Sequence, residues 1–327
     1  MSSESPVGEF ERPTTTERGR NPYLFVVGCQ RSGTTMLQRM LDAHPDLTVA
    51  YDSLFITRVM RGQPVGFDPP LSPSIADSAC GHPRFSRLGL SDAAVARAVD
   101  RGGRYSEFVT AVYDELAAAQ EKPLAGEKSP GYCRHLERLH ALLPWARFVH
   151  LVRDGRDVAL SIREWGKGAA KLELWRREPI AVGALWWRRD IRLGCGQGRA
   201  LPTNRYREFR YERLVGEPEP TLREMAEFLG LPFSTAMLEY HKGKARYEPG
   251  LSAKAAWLPP TQGVRDWKSQ MSDQERELFE AIAGRELEHL GYERSCDSIS
   301  PSVSRLADEC EAWWHHEMGS PGVAGER

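Results

Sequence analysis

Five apolar or aromatic residues run together from Tyr23 to Val27, YLFVV, and predict a strand buried on both faces. A loop bounded by Gly28 and Gly33 follows, and Thr34 and Thr35 open a helix. Met36, Leu37, Met40 and Leu41 recur at the 3.6-residue period of a helix packed on a sheet. Periodicity predicts further helices over 91–101 and 104–119, the second burying Tyr105, Val109, Val112 and Leu116. Residues 133–143 read as a helix, Arg147–Val152 as a strand, and Arg153–Trp165 as a turn and helix. A helix over 181–193, a strand at Arg207–Tyr211 and a helix over Thr221–Leu229 come next, with Gly230 as a glycine stop. The pattern ends with helices over 273–290, closing at Gly291, and 301–318, carrying Trp313 and Trp314.

Strands alternating with helices predict an α/β fold with a mostly parallel sheet flanked by helices on both faces. Residues 56–90 read as irregular, punctuated by Pro64, Pro69, Pro70, Pro73 and Pro83, and fit either a substrate-facing lid or a plain surface connection. Residues 1–20 are polar and read as a disordered arm, 21–318 as a single domain without repeats, and 319–327 as a loose tail.

Composition narrows the classes. Hydrophobic residues make up 41% and charged residues 27% of 327, as in soluble globular chains. A formal net charge of −1 argues against a general nucleic-acid binder while leaving room for a local basic pocket. No run approaches the roughly 18 apolar residues of a membrane span. No apolar signal core stands at the N-terminus. Six cysteines without a C-x-x-C pair read as reduced thiols. A cytoplasmic protein with no membrane or nucleic-acid partner is expected.

Strand, glycine-bounded loop and helix together make an anion cradle, because loop N–H groups and the positive helix end converge. Gly28-x-x-x-x-Gly33 matches the P-loop spacing, but Thr34 occupies the lysine position of that pattern and the nearest cation is Arg31, inside the loop. A nucleotide hydrolase or kinase needs that lysine on the β- and γ-phosphates. A second strand-to-helix corner, VRDGRDVALS, places Arg153 at the strand end and Ser161 about two turns into the helix. An anion can bridge those two side chains by charge-assisted hydrogen bonds.

Together the two segments resemble the signatures of the sulfotransferases that use 3′-phosphoadenosine 5′-phosphosulfate (PAPS). Arg31-Ser32-Gly33-Thr34-Thr35 is similar to the family's 5′-phosphosulfate loop, and Arg153 with Ser161 to its 3′-phosphate site. RSGTTMLQRMLDAHPDL looks especially like the tyrosylprotein branch and its bacterial relatives. The resemblance implies a catalytic lysine at Lys128 in GEKSP and an adenine contact at Tyr211 in YERL. It also implies 3′-phosphate contacts at Arg265 and Lys268, although Thr261-Gln262 stand where cytosolic members carry Arg-Lys and one spacer residue is missing. Arg31 and Lys128 would neutralise the leaving phosphate, with no metal required.

The base is less direct. Cytosolic members carry a histidine two residues after the lysine, and here that position is Pro130. The tyrosylprotein branch uses a glutamate, and the aligned residue is Asp52. Its side chain is shorter by about 1.5 Å of reach, so a deeper acceptor, a water or His44 would have to help; a cap or turn aspartate is the other reading. The resemblance thus implies sulfuryl transfer to a hydroxyl, or less readily an amine, of a small-molecule acceptor, releasing 3′-phosphoadenosine 5′-phosphate (PAP). A P-loop small-molecule kinase and an inactive nucleotide-binding module are the rival readings. His135 and His140 read as solvated helix residues, Arg188–Asp190 as a solvated helix face, Trp186 and Trp187 as core, and Cys29 as a small loop residue. His315 and His316 lack a second ligand pair, so no metal site is expected.

Overall fold

The computed structural model describes residues 19–165, 173–242, 258–261, 263 and 265–319. The expected arm and tail lie outside them, apart from Gly19, Arg20 and Gly319. β1 (Leu24–Val27), β2 (Leu47–Tyr51), β3 (Leu124–Lys128), β4 (Arg147–Val152) and β5 (Tyr206–Arg210) form one sheet ordered β2-β3-β1-β4-β5. Every pairing is parallel, so all five carboxyl ends open on one edge. β1 lies between β3 and β4, and the chain turns back on either side of it, which is where open α/β sheets form their binding crevice.

The helices in chain order are α1 (Thr34–Asp42), α2 (Phe55–Val59), α3 (Pro73–Cys80), α4 (Asp92–Arg101), α5 (Tyr105–Ala119), α6 (Leu136–Leu142) and α7 (Gly155–Glu164). They continue as α8 (Glu173–Arg177), α9 (Pro179–Gly198), α10 (Tyr211–Gly216), α11 (Pro218–Leu229), α12 (Trp267–Gln270), α13 (Asp273–His289) and α14 (Pro301–Gly319). Short 3₁₀ turns occupy Phe85–Leu88, Pro130–Arg134 and Thr235–Met237. The alternation along β1 sorts the layers. Phe25 and Val27 face α5 and α6, whereas Leu24 and Val26 face α1 and α11. A third apolar cluster, built from α7, α9, α13 and α14, holds Trp186, Trp187 and Phe279.

Several expectations need correction. The span 56–90 contains α2, α3 and a 3₁₀ turn, whose brevity hides their period. The helix expected over 133–143 splits at His135, which caps α6. His135 and His140 are half-buried rather than solvated. Asp190 is 1% exposed and ion-paired to Arg189, and Arg188 pairs with Glu311, so Arg188–Asp190 is no solvated face. Among the described residues no helix is long and apolar enough to cross a membrane, and no group of three or more potential ligands could hold a metal ion.

α9 lies unusually close on α7. A Cβ on Gly183 would sit 2.6 Å from Ala159 Cα, and one on Gly155 would sit 2.4 Å from the Trp187 ring. That approach lets Trp187 Nε1 donate to the Arg153 carbonyl at 3.0 Å, fixing the end of β4. Gly183→Val overpacks this contact and should lower the unfolding free energy by about 2 kcal/mol, read as a lower urea midpoint. An unaltered midpoint would show that the two helices are not held by this contact.

Candidate active site

The loop after β1 is shaped by close approach. A Cβ on Gly28 would lie 2.5 Å from the Leu151 carbonyl oxygen, so the chain can pass β4 only as glycine. Arg31 and Gly33 both adopt left-handed backbone, at φ 73° and 89°. The Ser32 N–H donates to the Cys29 carbonyl at 3.2 Å and closes the curl. Gly33 starts α1, and no side chain among the described residues caps that end. The Ser32 hydroxyl is buried and has no hydrogen-bond partner among the described residues. Open helix N–H groups and an orphaned buried hydroxyl fit a phosphate or sulfate group. Thr34 is buried, and Thr35 shares a hydrogen bond with the Tyr51 side chain.

The second corner meets the first. Arg31 Nε donates to Ser161 Oγ at 3.0 Å, and Arg153 Nη1 donates to the Arg31 carbonyl at 3.4 Å. The Arg153 guanidinium lies 4.1 Å from the centre of the Tyr211 ring. That ring covers Gly33, where a Cβ would come within 2.5 Å of it. Loop, Arg153, Ser161 and Tyr211 therefore border one cleft. Burial lowers the Arg31 pKa, and the positive charges of Arg265 and Arg153 lower it further. Arg31 thus sits in a positively charged setting, which suits an anion.

Asp157 organises this side. It accepts from Arg153 Nη2 at 3.3 Å and from the Trp267 N–H at 3.0 Å. Burial pushes its carboxyl up to about 6, against the pull of Arg153. Arg265 pairs with Glu164 at the cleft edge. Lys268 is exposed on α12, its ammonium 5.6 Å from the Trp267 ring centre. Gln262 and Val264 of the same run lie outside the described residues.

Across the sheet edge stand Lys128 and Asp52. Register sets Tyr51 beside Lys128 on β2 and β3, and the Lys128 ammonium lies 3.5 Å from the Tyr51 ring centre. Lys128 is 2% exposed. Burial lowers its pKa to about 8, with Asp52 and Glu127 opposing the shift. The Asp52 N–H donates to the Lys128 carbonyl at 2.7 Å. Arg84 and Arg87 both grip Asp52 Oδ2, at 2.8 and 3.1 Å, and no described hydrogen bond uses Oδ1. His44 cannot assist: its ring is buried beyond the opposite end of α1, with Nε2 on the Pro232 carbonyl at 2.8 Å and Nδ1 accepting from the Asp46 N–H at 3.1 Å.

Sequence reasoning missed the frame around Asp52. Glu127 is fully buried and accepts from Ser53 N–H and Oγ, Leu54 N–H, Tyr113 and Ser129. It ties the turn after β2 to β3. Its position beside Lys128 in GEKSP was the available signal. Arg84 and Arg87 sit in the proline-rich span and carried none.

The sequence model described as Sulfotransferase family matches residues 22–235. Nodulation protein NoeE of Sinorhizobium fredii is 27% identical over 329 residues, covering 90% of this chain and 74% of that protein. Protein-tyrosine sulfotransferase 1 of Homo sapiens is 26% identical over 226 residues, 68% of this chain, and this chain spans only 56% of it. Among solved structures, the sulfotransferase domain from the curacin biosynthetic pathway superposes with a TM-score of 0.49 at 18% identity, covering 89% of this chain and 98% of that one. Because the family match takes in all five strands, this chain belongs to the PAPS-dependent sulfotransferase family.

Proposed function

We propose that the cleft holds PAPS between its two corners and that Asp52 activates a hydroxyl of a small-molecule acceptor. The observation that carries this reading is the Arg31–Ser161 hydrogen bond, which joins the loop after β1 to the helix after β4. PAPS supplies the sulfuryl group. The amides of residues 31–35 and the Ser32 hydroxyl bind the 5′-phosphate end. Arg153 and Ser161, with Arg265 at the rim, bind the 3′-phosphate. Tyr211 stacks on the adenine, and Lys268 adds long-range positive charge from α12.

A transferring sulfuryl group carries less negative charge than a phosphoryl group, so fixed cations and N–H donors can stabilise its transition state. Arg31 and Lys128 carry that charge at the leaving oxygen. Asp52 offers Oδ1 to the acceptor while Arg84 and Arg87 hold Oδ2. The proton moves to Asp52 as the acceptor oxygen bonds to sulfur and becomes acidic. We assign residues 21–318 to one catalytic domain. All six cysteines are free thiols, which suits a cytoplasmic enzyme.

Titration calorimetry should show PAP binding and ATP not competing, whereas ATP dependence of turnover would favour the kinase reading. Arg153→Ala should weaken PAP about 10- to 100-fold, the loss expected for a charged hydrogen bond of about 1.5–3 kcal/mol. Unchanged PAP affinity would move the 3′-phosphate elsewhere.

Asp52→Asn should lower kcat for labelled sulfuryl transfer at least about 100-fold with PAP affinity retained. Near-normal turnover would remove Asp52 from the chemistry.

Lys128 acts as a cation, so activity is present below its pKa and lost above it. The kcat/KM for PAPS at saturating acceptor should fall as pH rises through about 8. Lys128→Arg, charged throughout that range, should lack this descending limb. A limb that persists in the variant belongs to another group.

A further inference from the structure

A cavity of about 670 Å³ is lined by Arg58, Arg61, Arg134, Arg138 and Arg189, with Glu137 the one lining carboxylate. In a chain of net charge −1 this is a local excess of positive charge. Asp190, buried near it, serves two of these arginines, at 3.7 Å from Arg134 and 2.9 Å from Arg189. Arg58 and Arg138 form no ion pair among the described residues, and Arg138 donates only to the Met60 carbonyl, at 2.8 Å. His135, on the same wall, is held neutral, its pKa pushed to about 4 by burial and then by Arg134, Arg138 and Arg61. Five arginines against one lining carboxylate make this cavity electropositive, and Arg58 and Arg138 bring positive charge that no described ion pair balances, which suits an anionic ligand.

The cavity also adjoins the chemistry. Its wall includes Leu54, two residues after Asp52, and Gly131, three after Lys128. At about 3.8 Å per residue, the Cα atoms of Leu54 and Gly131 lie within roughly 8–11 Å of those of Asp52 and Lys128. One small molecule spans that distance.

We infer that the acceptor is an anionic small molecule, its hydroxyl at Asp52 and its own carboxylate or phosphate among Arg58, Arg61 and Arg138. This rests on the sulfotransferase reading and names the acceptor class for the same site. Arg58 and Arg61 reach the cavity from its exposed rim and Arg138 from its half-buried wall.

The test titrates PAP-saturated protein with matched pairs. 4-Hydroxyphenylacetate against 4-methylphenol probes a carboxylate, and glucose 6-phosphate against glucose probes a phosphate. In at least one pair the anionic member should bind at least tenfold more tightly. That preference should fall below threefold in Arg58→Gln/Arg61→Gln, and in the triple variant that adds Arg138→Gln. The double variant alters exposed side chains only, so it reports even if the triple variant misfolds. Equal binding within both pairs, no measurable binding of either anion, or a preference that survives in the variants would overturn the inference. PAP binding is measured first, before any acceptor is added. Its absence in the unaltered protein would defeat the nucleotide assignment and this inference with it, by a result distinct from the acceptor outcomes.

Discussion

The contact between Arg31 and Ser161 is the constraint on which the rest of the site depends. It exists because β1 and β4 are neighbours, with Val27 beside His150 at their carboxyl ends. Two strand-to-helix corners 122 residues apart in sequence, measured at Arg31 and Arg153, are thereby brought into hydrogen-bond range. The arrangement sets Arg31 in the positive field of Arg153 and Arg265. The scaffold holds them there through buried contacts made elsewhere. Trp187 fixes the Arg153 carbonyl, and Arg156 bridges Asp154 and Glu280 beneath the Trp267 ring. Glu280 belongs to α13, so a helix beyond the family match steadies the corner that begins α7.

What could be read from the sequence was local. Gly28 and Gly33 mark their loop because the chain there passes β4 and Tyr211 too closely for a side chain. Met36, Leu37, Met40 and Leu41 are all buried, as their spacing required. The positions of Arg31, Ser32, Arg153, Ser161 and Tyr211 followed from motifs that sit at strand ends, and strand ends are fixed by short-range pattern. Features that depend on distant partners were not legible. Nothing in the composition of residues 56–90 says that Arg84 and Arg87 turn back onto Asp52. His44 looked available from its place after the first helix, but both ring nitrogens are taken by main-chain groups. Arg188–Asp190 reads as polar, yet α9 is buried nearly all round and its charges are paired inside. Charge counts per segment cannot foresee which polar residues a tertiary contact will enclose.

The two halves of the cleft use positive charge differently. At the two strand-to-helix corners the guanidiniums are tied to protein groups: Arg31 to the Ser161 hydroxyl, Arg153 to Asp157 and the Arg31 carbonyl, and Arg265 to Glu164. On the acceptor side, Arg58 and Arg61 are exposed and stand on a short helix and the turn after it. Long exposed side chains adapt to ligands of different shape, at the expense of side-chain entropy on binding. Glu127 separates these regimes. Its oxygens accept from Ser53 and Leu54 in the turn after β2, from Tyr113 of α5 and from Ser129 just past β3, which ties the chain around Asp52 to the chain around Lys128.

The main chain at Asp52 is left-handed, with φ 51°, a region where a bulky L-residue is penalised by about 1 kcal/mol and short amide or carboxylate side chains are favoured. Leu54 repeats the conformation at φ 56°, so the segment leaving β2 is a double kink rather than an extended lead into α2. The bend turns the chain off the sheet edge, so that the Asp52 N–H still reaches the Lys128 carbonyl while the Ser53 and Leu54 N–H groups swing onto the buried Glu127 carboxylate.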